Sequence, residues 1–99
     1  MDKSNIRGRL IPSFQRALLG MIYPSIRGIA IGFDGLKRLE VICYLDRKPN
    51  DEDYANISEV TSEVLADIEF ESVREHCQYS EDPVFKLNSL DFWIYLRKE

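Results

Sequence analysis

Apolar positions recur along this chain with two different periods. Between Pro12 and Gly20 the spacing of Phe14, Ala17, Leu18 and Met21 is helical. Pro12 suits a first helical turn, Gly20 offers a left-handed stop, and Pro24 bars continuation. From Ile26 the period becomes two. Arg27, Ile29, Ile31 and Phe33 share one side of a strand over 26–33, while Gly28, Ala30 and Gly32 leave the other side open to close backbone approach. Asp34-Gly35 signals a hairpin turn, because both residues tolerate positive φ. A second strand over 36–46 opposes Leu39, Val41, Cys43 and Leu45 to Glu40, Ile42, Tyr44 and Asp46.

The helical period then returns. Asn50 is a good N-cap, and Asp51, Glu52 and Asp53 set carboxylates against the positive end of the helix dipole. Tyr54, Ile57, Val60 or Thr61, Val64, Leu65 and Ile68 make an apolar stripe, leaving Glu52, Glu59, Ser62 and Glu63 largely on the remaining surface. A third strand over 69–78 places Glu71, Val73, Glu75 and Cys77 opposite Phe70, Ser72, Arg74 and His76. After a loop at Ser80-Glu81-Asp82-Pro83, a last strand over 92–97 alternates Phe92, Ile94 and Leu96 with Trp93, Tyr95 and Arg97. The order α-β-β-α-β-β predicts an α+β, two-layer sandwich, with two helices on one face of a four-stranded, mainly antiparallel sheet. No linker or repeat divides it, so residues 1–99 are expected to form a single domain.

Composition agrees: 44% apolar and 30% charged residues are globular, not disordered, values. Charge changes the picture more. Residues 1–48 carry nine Lys/Arg and four Asp/Glu, whereas residues 51–82 carry eleven Asp/Glu against Arg74 alone. So acidic a segment disfavours nucleic acid or an anionic membrane as the main partner. The apolar run from Ala17 to Tyr23 is too short to span a bilayer, and the polar start leads into no signal-like segment, which predicts a cytoplasmic protein. Cys43 and Cys77 are then expected to be reduced and buried.

Candidate chemistry is sparse. Glu75, His76 and Cys77 are contiguous, but strand neighbours diverge to opposite faces, and Glu75 beside Cys77 raises a thiol's pKa instead of activating it. One His and two distant Cys lack zinc-site spacing, and Asp51-Glu52-Asp53 lacks a calcium-loop pattern. Gly28, Gly32 and Gly35 belong to a hairpin and precede no Lys-Ser/Thr, so no phosphate loop is read there. Tyr44, Tyr79, Trp93 and Tyr95 could pave an open sheet face for stacking RNA bases, against which stands the pI of about 5.0. The expectation is a non-enzymatic chain with no cofactor and no metal.

What remains is the acidic segment as a surface for a basic protein partner, of which a nuclease toxin domain is one kind. Glu59, Glu63, Asp67, Glu69, Glu71 and Glu75 form its charged side, with Trp93 and Tyr95 as candidate aromatic anchors. Gln15-Arg16-Ala17-Leu18-Leu19-Gly20, the Ile26-Arg27-Gly28-Ile29-Ala30 strand, the Asp51-Glu52-Asp53-Tyr54 helix start and the closing Trp93-Ile94-Tyr95-Leu96-Arg97-Lys98-Glu99 resemble small bacterial α+β proteins similar to immunity proteins of contact-dependent inhibition and polymorphic toxin systems. The resemblance implies a non-catalytic binder that neutralises a cognate toxin by occluding it, and it carries over no site residues. The alternative is a regulatory or housekeeping domain acting through self-association, for which a homodimer through the sheet edges or the aromatic face is open.

Overall fold

Helix ends are set by identifiable groups. The computed structural model describes residues 3–99, and within them the order is α1 (Lys3–Ala17), β1 (Ile26–Asp34), β2 (Arg38–Leu45), α2 (Asp51–Asp67), β3 (Ser72–Tyr79), a 3-10 turn (Val84–Lys86) and β4 (Phe92–Leu96). Asn50 caps α2 with a complete capping box: its side chain accepts the Asp53 N–H at 3.1 Å, and the Asp53 carboxylate accepts the Asn50 N–H at 2.8 Å. Gly20, at φ 75°, closes the turn after α1.

α1 begins at Lys3 instead of Pro12, so Pro12 lies inside the helix and not in its first turn. Ile6, Leu10, Ser13, Phe14 and Ala17 are its buried stripe. An interior proline costs a helix roughly 3 kcal/mol through its missing N–H and ring clash. Burying Ile6 and Leu10 offsets that at about 1.5–3 kcal/mol each.

The sheet runs β3-β2-β1-β4. β1 pairs antiparallel with both β2 and β4, and Gly35 at φ 53° makes the β1–β2 turn. β3 pairs parallel with β2, because α2 carries the chain back across the sheet before β3 begins. The sheet is therefore mixed, with two antiparallel pairings and one parallel among the described residues. Both helices cover one face, and Leu39, Val41, Cys43 and Leu45 of β2 meet Ile57, Val60 and Val64 of α2 in the main core.

Two bulges correct the expected alternation. In β1 the register shifts between Ile26 and Gly28, so Ile26 joins Ile29 and Ile31 in the core while Arg27 turns to Ser80 and Glu99. In β4, Ile29 faces Tyr95 but Ala30 faces Trp93, leaving Ile94 as an extra residue. Tyr95 accordingly packs with the helix-side core and Trp93 with the opposite face, instead of both sharing one side.

The opposite face is not an open platform either. The connector from β3, on one edge, to β4, on the other, lays Leu87 and Leu90 over Ala30, Ile42 and Tyr44. Tyr44 is 2% exposed and donates its hydroxyl to the Asn88 carbonyl at 2.8 Å. A base-stacking surface built on Tyr44 and Trp93 is thereby covered.

Candidate functional site

The capping box fixes the rotation of α2, and that rotation decides which carboxylates meet solvent. Ile57, Val60, Thr61 and Val64 point inward, so Glu52, Glu59 and Glu63 come round to the outer face at helical spacing. Glu59 and Glu63 are exposed, and no hydrogen bond or ion pair among the described residues engages either carboxylate.

Asp67 ends the same helix but is already engaged. Its Oδ2 accepts the Ser13 hydroxyl at 2.7 Å and an Arg16 N–H at 2.6 Å, which lower its pKa in that order of effect. This contact ties the C-terminus of α2 to α1. Beyond it, Glu69 and Glu71 flank an open hollow of about 600 Å³ with Ile68 and Phe70 behind them and Arg9 and Lys37 on its rim. The Glu71 and Ser72 N–H groups donate to the Leu36 and Lys37 carbonyls at 3.0 and 2.9 Å, holding this corner against the β1–β2 turn. The carboxylates of Glu69 and Glu71 are themselves exposed and unengaged among the described residues.

The other predicted residues lie elsewhere. Glu75 is half-buried under α2, where the Thr61 hydroxyl lies 2.8 Å from its Oε2. Trp93 is half-buried on the far face of the sheet, tilted 54° against Tyr44 with ring centroids 5.6 Å apart. Tyr95 packs on the helix side. The structure thus gathers Glu59, Glu63, Glu69 and Glu71 along α2 and the corner after it, and separates them from both aromatic candidates.

One residue read only as a cap does more. Asp53 is 1% exposed, and besides capping α2 it accepts two Arg47 N–H groups at 2.7 and 3.0 Å and the Tyr23 hydroxyl at 2.5 Å. Arg47, then Tyr23 and the Asn50 N–H, hold its carboxyl down at about 2 despite burial. Also missed was the buried Arg27, whose guanidinium grips both Glu99 oxygens at 2.8 Å and the Ser80 carbonyl at 2.8 Å. A charged residue at an inward strand position was the available signal. Phe85, 83% exposed, and Leu96, 44% exposed, form an apolar patch that the alternation pattern did not predict.

Residues 7–99 match the MafI2 immunity protein family. The chain belongs to that family. Its role is therefore toxin-neutralising immunity in general, and its partner is in general a protein toxin.

No curated protein matches the sequence. Among solved structures, the copper form of the MamM C-terminal domain is 17% identical with a TM-score of 0.52, covering 91% of this chain and 97% of its own. A zinc-form variant of the same domain is also 17% identical with a TM-score of 0.52, covering 88% and 96%. At that identity the likeness is one of fold.

Chemistry on the helix side follows the strand geometry. His76 turns away from Cys77 and lies 3.6 Å from Glu40, while Cys77 enters the core. The adjacent Cys43 thiol lowers the Cys77 pKa, and this outweighs burial and the Asp53 and Glu75 carboxylates, which raise it. Among the described residues no three His, Cys, Asp or Glu side chains form a metal-binding group, and no helix is long and apolar enough to cross a membrane.

Proposed function

We propose that this chain neutralises its toxin stoichiometrically and without catalysis, in the cytoplasm, by laying the carboxylates of Glu59, Glu63, Glu69 and Glu71 over a basic surface that includes a nuclease-type active site. The observation that carries this reading is the division among the six acidic candidates. Asp67, at the surface, and Glu75, half-buried, are engaged by side chains of this chain, whereas the other four are exposed and, among the described residues, have no ion-pair partner. Unpaired surface charge gives a partner long-range attraction at little internal cost. An interface of standard size, roughly 1,600 Å² in total, would span α2 and the corner beyond it.

Surface-based kinetics with the cognate toxin domain test the reading. Reversing Glu59 and Glu63 to lysine should slow association about ten- to hundredfold at low salt, with much less effect at high salt. An association rate that the reversal leaves unchanged contradicts it.

Self-association is a second reading, favoured by the exposed Phe85 and Leu96 beside the free edge of β4. Sedimentation equilibrium of the wild type and of Phe85→Ser distinguishes a homodimer held by that patch from a monomer.

A further inference from the structure

Cys43 and Cys77 are register partners on the adjacent parallel strands β2 and β3. Both side chains enter the layer under the helices, and both are free thiols. Neighbouring strands lie about 4.8 Å apart, inside the roughly 4.4–6.8 Å that separates the Cα atoms of a disulfide. As register partners on neighbouring strands with both side chains in the same core layer, the two thiols are adjacent. The chain between them is α2 with its two connectors, and β3 is an edge strand whose neighbour in the sheet, among the described residues, is β2. We propose that this pair is an oxidisable clasp, which a peroxide converts into an intramolecular disulfide that closes the β2–α2–β3 crossover covalently.

Cys77, 8% exposed against 1% for Cys43, is the more accessible residue of the pair and takes the first oxidation. Its thiolate attacks one peroxide oxygen, the O–O bond breaks, and the departing hydroxide takes up the proton Cys77 released. That leaves a sulfenic acid and one water. The Cys43 sulfur then attacks the Cys77 sulfur, the S–O bond breaks, and hydroxide leaves with the Cys43 proton as the second water. Two electrons pass from the sulfur pair to one peroxide, which becomes two waters. The neighbouring Cys43 thiol supports the first step by favouring the Cys77 thiolate against its burial and the nearby Asp53 and Glu75 carboxylates. The second step joins two residues that are already register partners on adjacent strands.

The full wild-type chain, treated natively with a small molar excess of hydrogen peroxide and then unfolded under a thiol-blocking reagent, tests the clasp. Intact mass should fall by two hydrogen atoms, no thiol should remain to be blocked, peptide mapping should link Cys43 to Cys77, and dithiothreitol should reverse the change. Two unreacted thiols, sulfinic acid on Cys77 beside a free Cys43, or disulfide-linked dimers each overturn it. In Cys43→Ser the same treatment should drive Cys77 on to sulfinic acid, because the resolving sulfur is gone. Oxidation of Cys77 that stops at the same stage with and without Cys43 also overturns it.

Discussion

The Tyr23 hydroxyl lies 2.5 Å from the Asp53 carboxylate, which joins the α1–β1 connector to the first turn of α2 through one buried acid. Arg47, from the β2–α2 connector, completes the arrangement. Asp53 is thus the point at which three segments of the chain are fixed relative to the sheet. Breaking a buried, hydrogen-bonded charge pair costs about 3–5 kcal/mol, but Arg47 is 40% exposed and regains water. Asp53→Ala should therefore destabilise the fold by about 2–4 kcal/mol, the lost cap included. Urea unfolding followed by circular dichroism measures it, and a loss within experimental error contradicts the role.

The same acid gives stability a pH dependence. Asp53 and Glu99 have ordinary pKa values of 3.8 and 4.5, and in the fold both are lowered to about 2. Glu99 owes this first to Arg27 and then to Arg97. A carboxyl held down in the folded state contributes stability that is present above its ordinary pKa and lost as pH falls through the folded value. The urea midpoint should accordingly fall between about pH 4.5 and pH 2, and Asp53→Asn should flatten part of that fall. A midpoint constant over this window in the wild type is the contrary result.

Gly28 is a steric requirement. A Cβ at that position would lie 2.9 Å from Trp93 Cζ3 and 3.1 Å from Leu96 Cδ2. Gly28→Val must displace the Trp93 and Leu96 side chains and should cost about 1–3 kcal/mol. Trp93 fluorescence during denaturation reports both the stability loss and any change in the indole environment.

These relationships differ in how far the sequence discloses them. The β1–β2 hairpin was legible because large apolar residues alternate along the helix-facing side of each strand, as at Leu39, Val41, Cys43 and Leu45, and that alternation agrees with the Asp34-Gly35 turn. The start of α2 was legible because Asn50 and Asp53 form a local motif. α1 was cut short because Pro12 has the same appearance at a helix start as in an interior where tertiary burial of Ile6 and Leu10 outweighs its cost. The Ile94 bulge reverses the face of Tyr95 by a single inserted residue, and no local propensity marks it. Of the acidic set, exposure of Glu59 and Glu63 followed from helical phase alone. The engagement of Asp67 by Ser13 and Arg16, and of Glu75 by Thr61, depends on contacts distant in sequence and becomes visible only in the fold.

That division among carboxylates yields a contrast. Asp67→Asn should loosen α1 from α2 and lower the unfolding midpoint, because it weakens two internal contacts. Glu63→Gln should leave the midpoint unchanged while slowing association with the toxin. A midpoint shift for Glu63→Gln as large as that for Asp67→Asn contradicts the assignment.

The most direct test of the partner surface is protection in a living cell. The C-terminal domain of the product encoded immediately upstream is expressed in a test bacterium, alone, with the wild-type chain, and with the fourfold variant Glu59→Lys, Glu63→Lys, Glu69→Lys, Glu71→Lys. The account predicts that growth stops with the toxin alone and recovers with the wild type. It also predicts that growth stays arrested with a fourfold variant whose circular dichroism and unfolding midpoint match the wild type. A folded fourfold variant that protects as well as the wild type contradicts the acidic surface as the site of neutralisation, and a wild type that relieves no toxicity contradicts neutralisation of that toxin.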